Sequence, residues 1–393
     1  MLVKTSVTLA IIFLHFIIKS ESYSSTCFQY VNTTTIPPGH VYHRMQRPAI
    51  IGYKGSITAH QENTLEGMKD VIKKGYQGIH MQVQMTRDDK MILFGDKNFL
   101  RLTGVDATVR IADYNSIAAL SLKKKIVSGG NRTFTYSSTA KIPLLENVLN
   151  EVKGKGLLIY IELVPTDAPP ENPAERDHAL RLGLGVGKLI RKLKMEDEVF
   201  VVSSDPFKLL VLNHENSNIV SGWWLKKEFY NDQIAGKMRK EFTDLNGLRD
   251  CYIKTAPTGI KFLPFLYETG IVTKSVNGSI FDASFDVIGN AKYFDGRSDT
   301  TKSILQKNYN RKMSYGAILA YYEDLVPRDK KKDKEKLSIE VKRGLDRILT
   351  DDLADVYTML NSIQSKAGFV SGNIYLFIFS FVVSIIGNLA RPL

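Results

Sequence analysis

The chain has 393 residues, 44% apolar and 24% charged, with 13 Pro and 28 Gly, which excludes wholesale disorder, a collagen-like rod and a polytopic membrane protein. Its 53 Lys and Arg against 41 Asp and Glu give a net charge of +12. Two cysteines only, Cys27 and Cys251, exclude a disulfide-stapled miniprotein and any cysteine-based zinc or iron–sulfur site.

The first element is an export signal. Lys4 precedes an apolar run from Val7 to Ile18, too short for a bilayer core that needs about 20 residues, and Ser20-Glu21-Ser22 supplies small residues for cleavage. Residues 1–22 therefore read as a signal peptide and 23–47 as an N-terminal arm. In an oxidising compartment Cys27 and Cys251 are candidates for one disulfide tying the arm to the body. The sequons at Asn32, Asn131 and Asn277 agree with an exported, N-glycosylated chain.

Beyond the arm, short apolar runs alternate with helical patterns. Strands are expected at Pro48–Tyr53, Ile79–Met85, Lys90–Phe94, Leu157–Val164, Val199–Ser203, Ile219–Trp224 and Arg347–Thr350. Helices are expected at Asn63–Lys74, Leu144–Val152, Ala174–Met195 and Asp351–Ile363. Such alternation points to α/β architecture with a parallel sheet covered on both faces. The roughly 340 residues between the two ends suit one (β/α)8 TIM barrel, with an insertion in its C-terminal half at about 224–340. An open doubly wound sheet is the competing layout, but no glycine-rich dinucleotide loop follows the first strand. The charge run Arg328–Lys336 reads as a solvated loop, because Asp329, Asp333 and Glu335 dilute its lysines.

The C-terminal segment, 363–393, carries the second targeting feature. No charge occurs from Ala367 to Ala390, Ile374–Ile386 is continuously lipid-compatible, and small residues lie upstream at Ser362, Ser365, Ala367 and Gly368. Two readings stay open, a glycosylphosphatidylinositol anchor signal and a single transmembrane helix. Either places residues 48–362 on the extracellular side of the plasma membrane. Removing residues 1–22 (net +1) and the tail (net +2) leaves a body of +9, which favours anionic membrane surfaces or glycans weakly and does not imply nucleic acid.

Several strings then follow one another in a telling order: Ile50-Ile51-Gly52-Tyr53-Lys54-Gly55, Glu62-Asn63-Thr64-Leu65, Gly78-Ile79-His80-Met81-Gln82-Val83-Gln84-Met85-Thr86-Arg87-Asp88, Phe94-Gly95-Asp96 and Arg101-Leu102-Thr103-Gly104. Later come Ile142-Pro143-Leu144-Leu145-Glu146, Ile159-Tyr160-Ile161-Glu162 and Gly344-Leu345-Asp346-Arg347-Ile348-Leu349-Thr350-Asp351. Together they resemble the glycerophosphodiester phosphodiesterase family, strongly over 48–165 and 341–360. The resemblance implies a TIM barrel and the hydrolysis of phosphoric diesters in glycerophospholipid metabolism. It also implies two histidines as general acid and base, and a Mg or Ca ion held by three carboxylates.

At the positions the resemblance assigns to chemistry, this chain differs. The two histidine positions are Tyr53, a poor base at neutral pH, and Gly95, which has no side chain. His80 and Gln82 stand at two of the three metal carboxylates, leaving Glu162 as the third. Lys54 keeps the positive charge of a phosphate-binding Arg without its fork. Glu62, Asn63, Thr64, Asp96 and Arg101 match the family pattern. His60 and His80 are the candidate substitutes, as a His60–His80 or a His80–Glu162 pair. The expectation is a catalytically impaired extracellular pseudoenzyme that binds an anionic lipid headgroup, a glycan or a protein, with no cofactor. Two alternatives accompany it: an active divergent phosphodiesterase using Mg or Ca, and an adhesion or receptor ectodomain.

Overall fold

Strands that are buried along their whole length need a partner layer on each face, and the chain supplies it. The computed structural model describes residues 36–128, 132–164, 173–203, 208–209, 212, 215–225, 278–284, 314–319, 329–342 and 345–366. In chain order the strands are β1 (Ala49–Gly52), β2 (Gly78–Met85), β3 (Met91–Leu93), β4 (Ser121–Leu122), β5 (Lys125–Ser128), β6 (Arg132–Thr135) and β7 (Ala140–Lys141). They continue with β8 (Leu158–Leu163), β9 (Val199–Ser203), β10 (Val220–Leu225), β11 (Gly278–Ser284), β12 (Ser314–Leu319) and β13 (Arg347–Thr350). The main sheet runs β1-β13-β12-β11-β10-β9-β8-β2, all parallel, and β2 also pairs with β1, so the sheet closes on itself. β3 is appended antiparallel to β2. The barrel expected from alternation is present, and two of its strands, β11 and β12, lie within the stretch 224–340.

Period-two alternation sorts side chains into two layers. Ile50, Ile79, Ile159, Val201 and Ile348 point outward onto Met68, Val71, Leu149, Val186 and Val356 of the covering helices. Ile51, Tyr53, Leu158, Tyr160, Phe200, Val202 and Leu349 point into the lumen, where Val41 and Tyr42 of the arm join them from below. Arg347, wholly buried, lies under this layer, its guanidinium carbon 5.5 Å from the centre of the Phe200 ring. A third cluster, built on Phe94, Phe99, Leu102, Ile117, Leu122, Ile126 and Tyr136, forms a small satellite beside the barrel.

The helices Leu65–Lys73, Leu145–Val152, Pro173–Leu193 and Leu353–Lys366 agree with the expected ones to within a few residues. Gly52 allows the first to pack close, since a Cβ there would stand 2.7 Å from Val71 Cγ2. One expectation is overturned. The charge run is not a loop: Lys330–Lys342 is a helix. Leu337 is buried, Val341 packs on the core, the Asp329 carboxylate accepts the Lys331 N–H at 3.0 Å, and Lys330 pairs with Asp355 at 3.1 Å. Burial of one narrow stripe plus a cap outweighs a poor average hydropathy.

The segment expected to be a signal peptide (1–22), Cys27, Cys251, the sequons at Asn32, Asn131 and Asn277, and the tail from 367 lie outside the described residues. Among the described residues no helix is long and apolar enough to cross a membrane.

Candidate functional site

In a parallel barrel the strand C-termini and the loops after them share one mouth. Tyr53 follows β1 directly, its N–H donating to Thr350 O at 2.8 Å. His80 and Gln82 alternate on β2, and Gln82 is in register with Glu162 of β8. After Tyr53 the chain reverses through Lys54 (φ 56°) and Gly55 (φ 85°), and the Asn63 N–H closes the loop onto Lys54 O at 2.9 Å. Asn63 is itself left-handed at φ 57°, a conformation Asn tolerates. Thr64 caps the following helix, accepting the Gly67 N–H at 3.2 Å and donating to Gln61 O at 2.7 Å.

Two polar networks result. In the first, the Tyr53 ring stacks on His80, with centroids 4.8 Å apart and planes at 10°. The Lys54 N–H donates to His80 Nδ1 at 3.2 Å, so Nδ1 is the acceptor and the ring proton sits on Nε2, 3.4 Å from Glu162 Oε2. Gln82 Nε2 donates to that same oxygen at 2.8 Å. Asn63 clasps Gln82 twice, accepting its backbone N–H at 2.9 Å and donating Nδ2 to its Oε1 at 3.2 Å. His80, Glu162 and Asn63 are almost wholly buried.

In the second network Glu62 Oε1 faces both Arg101 Nη2 at 2.8 Å and Lys54 Nζ at 3.7 Å. Arg101 also grips Asp96, Nε to Oδ2 at 2.6 Å and Nη2 to Oδ1 at 2.9 Å. Burial works against the Arg101 charge, but Glu62 and Asp96 more than offset it and raise its pKa above the ordinary guanidinium value. Lys54, the expected phosphate ligand, is thus a buried ion-pair partner of Glu62. Asp96 and Arg101 shape the loop after β3.

Gly95 is positioned by the Phe94 N–H, which donates to Gln82 O at 3.0 Å. A Cβ built on Gly95 would overlap Gln82 Oε1 and stand 3.1 Å from Gln82 Cδ and 3.5 Å from Asn63 Nδ2. The amide of Gln82 therefore fills the space into which a side chain at 95 would project. The structure brings His80 and Glu162 together but not His60 and His80. His60 donates its N–H to Ser56 O and lies on the Asp70 side of the loop. There burial raises the Asp70 pKa, but Lys74 and Ser56, with His60 adding to them, carry it below the ordinary value.

Sequence reasoning missed the Asn63 clasp and also Gln61, whose Nε2 donates to Lys123 O at 3.1 Å and Ser138 O at 2.7 Å, fastening the satellite to the mouth. The Asn of the retained Glu62-Asn63-Thr64 string and the Gln just before it were the available signal.

The family model for the glycerophosphoryl diester phosphodiesterase family matches residues 52–240, which contain both networks. These residues, just under half of the chain, carry a domain of this family. An uncharacterised Bacillus subtilis (strain 168) protein, YqiK, is 26% identical over 152 residues, 39% of this chain and 56% of that protein. The glycerophosphodiester phosphodiesterase of Bacillus altitudinis is 27% identical over 113 residues, 28% of this chain and 42% of that enzyme. The chain thus spans about half the length of the curated relatives it matches. Among solved structures, a Silicibacter pomeroyi protein provisionally assigned as a glycerophosphoryl diester phosphodiesterase superposes with TM-score 0.53 at 16% identity, covering 80% of this chain and 93% of that one. An Oleispira antarctica phosphodiesterase, solved with the product sn-glycerol-3-phosphate, superposes with TM-score 0.51 at 12% identity over 82% and 99% of the two chains. At such identities the superpositions establish the shared fold.

The divalent cation that the family resemblance implies does not fit these residues. A hard cation takes oxygen ligands, several of them usually carboxylates. Of positions 80, 82 and 162 only Glu162 carries one, and the Gln82 N–H donor is aimed at it. Among the described residues no three His, Cys, Asp or Glu side chains converge as a metal site.

Proposed function

We propose that this phosphodiesterase-family barrel is a catalytically impaired binding module, carried on the extracellular face of the plasma membrane by its C-terminal segment. The observation that carries the reading is the engagement of both His80 nitrogens, one by a hydrogen bond and one by a carboxylate contact. It is the one imidazole in the buried network, and both its nitrogens face fixed partners, the Lys54 N–H and Glu162 Oε2. A general base must offer a lone pair to a substrate proton, and a general acid must give its proton to a leaving oxygen. His80 does neither in this arrangement, Tyr53 is a phenol and Gly95 offers nothing. The fold remains, with a net positive charge suited to an anionic lipid headgroup, a glycan or an acidic protein surface, and function follows site residues and not fold.

A second reading is favoured by one contact. The His80–Glu162 pair, at 3.4 Å, has the composition of a proton-transfer dyad, which an active divergent phosphodiesterase would use on glycerophosphodiesters. The purified protein assayed with glycerophosphodiesters in Mg2+, Ca2+ or Mn2+ separates the two. No turnover and no metal uptake is the expected result; turnover that His80→Ala abolishes overturns it. Attachment has its own readout: release from intact cells by a phosphatidylinositol-specific phospholipase supports the lipid anchor, and retention with a C-terminal tag still present supports a helix.

A further inference from the structure

We infer that Gln82 is an internal stand-in for two missing groups at once: its amide N–H occupies the cation's place against Glu162, and its amide oxygen occupies the volume of a side chain at position 95. The chemical losses at 82 and 95 are then one coupled substitution, and the mouth is a closed polar plug whose stability does not depend on divalent cations. This goes beyond the reading of the barrel as a binding module and holds whether or not hydrolysis is found.

Three observations carry it. First, a buried carboxylate must be paired or hydrogen-bonded, and where a family member would satisfy Glu162 with a cation, this chain satisfies its Oε2 with Gln82 Nε2 at 2.8 Å and His80 Nε2 at 3.4 Å. Second, the amide cannot swing away freely, because Asn63 holds Gln82 at both its backbone N–H and its Oε1. Third, the amide oxygen lies where a Cβ on Gly95 would be, while the Gly95 backbone is not in the left-handed region and would accept any residue. At position 95 the tight contacts of an added Cβ, those under 3.4 Å, are thus both with Gln82. A side chain there would push the amide off Glu162 and Asn63 together, and two hydrogen bonds, one of them to a charge, would be lost.

The test is a cycle of variants in the full chain followed by thermal unfolding. Gly95→Ala alone is expected to lower Tm by about 5 °C or more, the equivalent of those lost bonds in a protein of this size. In a Gln82→Ala background the same substitution meets only the Asn63 amide at ordinary contact distance, 3.5 Å, and should lower Tm by less than about 1 °C. Gln82→Ser provides the background if the Ala variant does not fold. Equal losses in both backgrounds would overturn the coupling. Millimolar Mg2+, Ca2+ or Mn2+ should leave the wild-type Tm unchanged, and EDTA likewise. A His80→Glu/Gln82→Asp variant, which restores carboxylates and withdraws the amide donor, should gain a cation-dependent rise of several degrees. A cation-dependent Tm in the wild type overturns the inference without touching the turnover result. Metal-free turnover overturns the binding-module reading and leaves this inference standing.

Discussion

Replacing Arg101 by Met tests whether the second network holds the mouth together. Methionine keeps the length and apolar stem of the side chain and deletes only the guanidinium. Three charge-assisted bonds go: one to Glu62 at 2.8 Å and two to Asp96 at 2.6 and 2.9 Å. Asp96, 28% exposed, rehydrates, so its share is that of a surface pair, below about 1 kcal/mol. Glu62 cannot rehydrate, because its side chain is fully buried, and orphaning a buried charge costs about 3–5 kcal/mol. Lys54 Nζ, 3.7 Å away, remains as partial compensation, which brings the expected loss to about 3 kcal/mol. At about 2–4 °C per kcal/mol the Tm should fall by roughly 6–12 °C. Thermal unfolding of the Arg101→Met, Glu62→Gln and double variants reads the coupling directly, and about 1–3 kcal/mol of non-additivity is expected. Additive effects within about 0.5 kcal/mol, or a Tm loss below about 2 °C, would refute the reasoning by showing that solvent already screens the cluster.

Two further predictions concern stability. Thr64→Ala removes the cap of helix Leu65–Lys73 and should cost about 1 kcal/mol, seen as a Tm drop of a few degrees, whereas Thr64→Ser should recover most of it. His40, wholly buried under the lumen, has its pKa lowered to about 4 by burial, against the raising effects of Val199 O and Asp197, while His43 and Arg44 push the same way as burial. A depressed folded-state value means that its contribution is complete above the ordinary value near 6.5 and is lost as pH falls towards 4. Tm measured across that window should decline by more in the wild type than in His40→Gln; superimposable profiles would contradict the assignment.

Much of the barrel was legible in the sequence because the strands that are buried on both faces carry unbroken apolar runs, such as Leu157–Ile161 and Val199–Val202. The helix Lys330–Lys342 was not legible, since Leu337 and Val341 alone mark its inward stripe amid lysines. The two- and four-residue strands of the satellite escaped for a similar reason: Lys123, Lys124 and Lys125 interrupt any periodicity, and the pieces are held by the cluster around Phe99 and Leu122. At the mouth, the positions of Tyr53, His80, Gln82, Gly95 and Glu162 were read from the family resemblance. Their interdependence was not, because it rests on a single approach between a β2 side chain and the backbone of the loop after β3. The visible clue was a carboxylate position grown to Gln while a histidine position shrank to Gly.

The ring closure of the sheet has a consequence for how the chain is made. β1 is hydrogen-bonded along one flank to β13, and the Arg47–Asp346 ion pair that clasps this seam joins residues 299 positions apart. During synthesis β1 emerges first of the described strands, yet β13, the strand that completes the ring, emerges last of them. Until then the nascent sheet presents open edges at β1 and β12, and the slot beneath Tyr42 and Phe200 waits for Arg347. Contacts of such long range make folding slow. A chain cut short before residue 347 would keep most of its apolar strands and lose the one that hides their edges, a species suited to aggregation and to capture by chaperones.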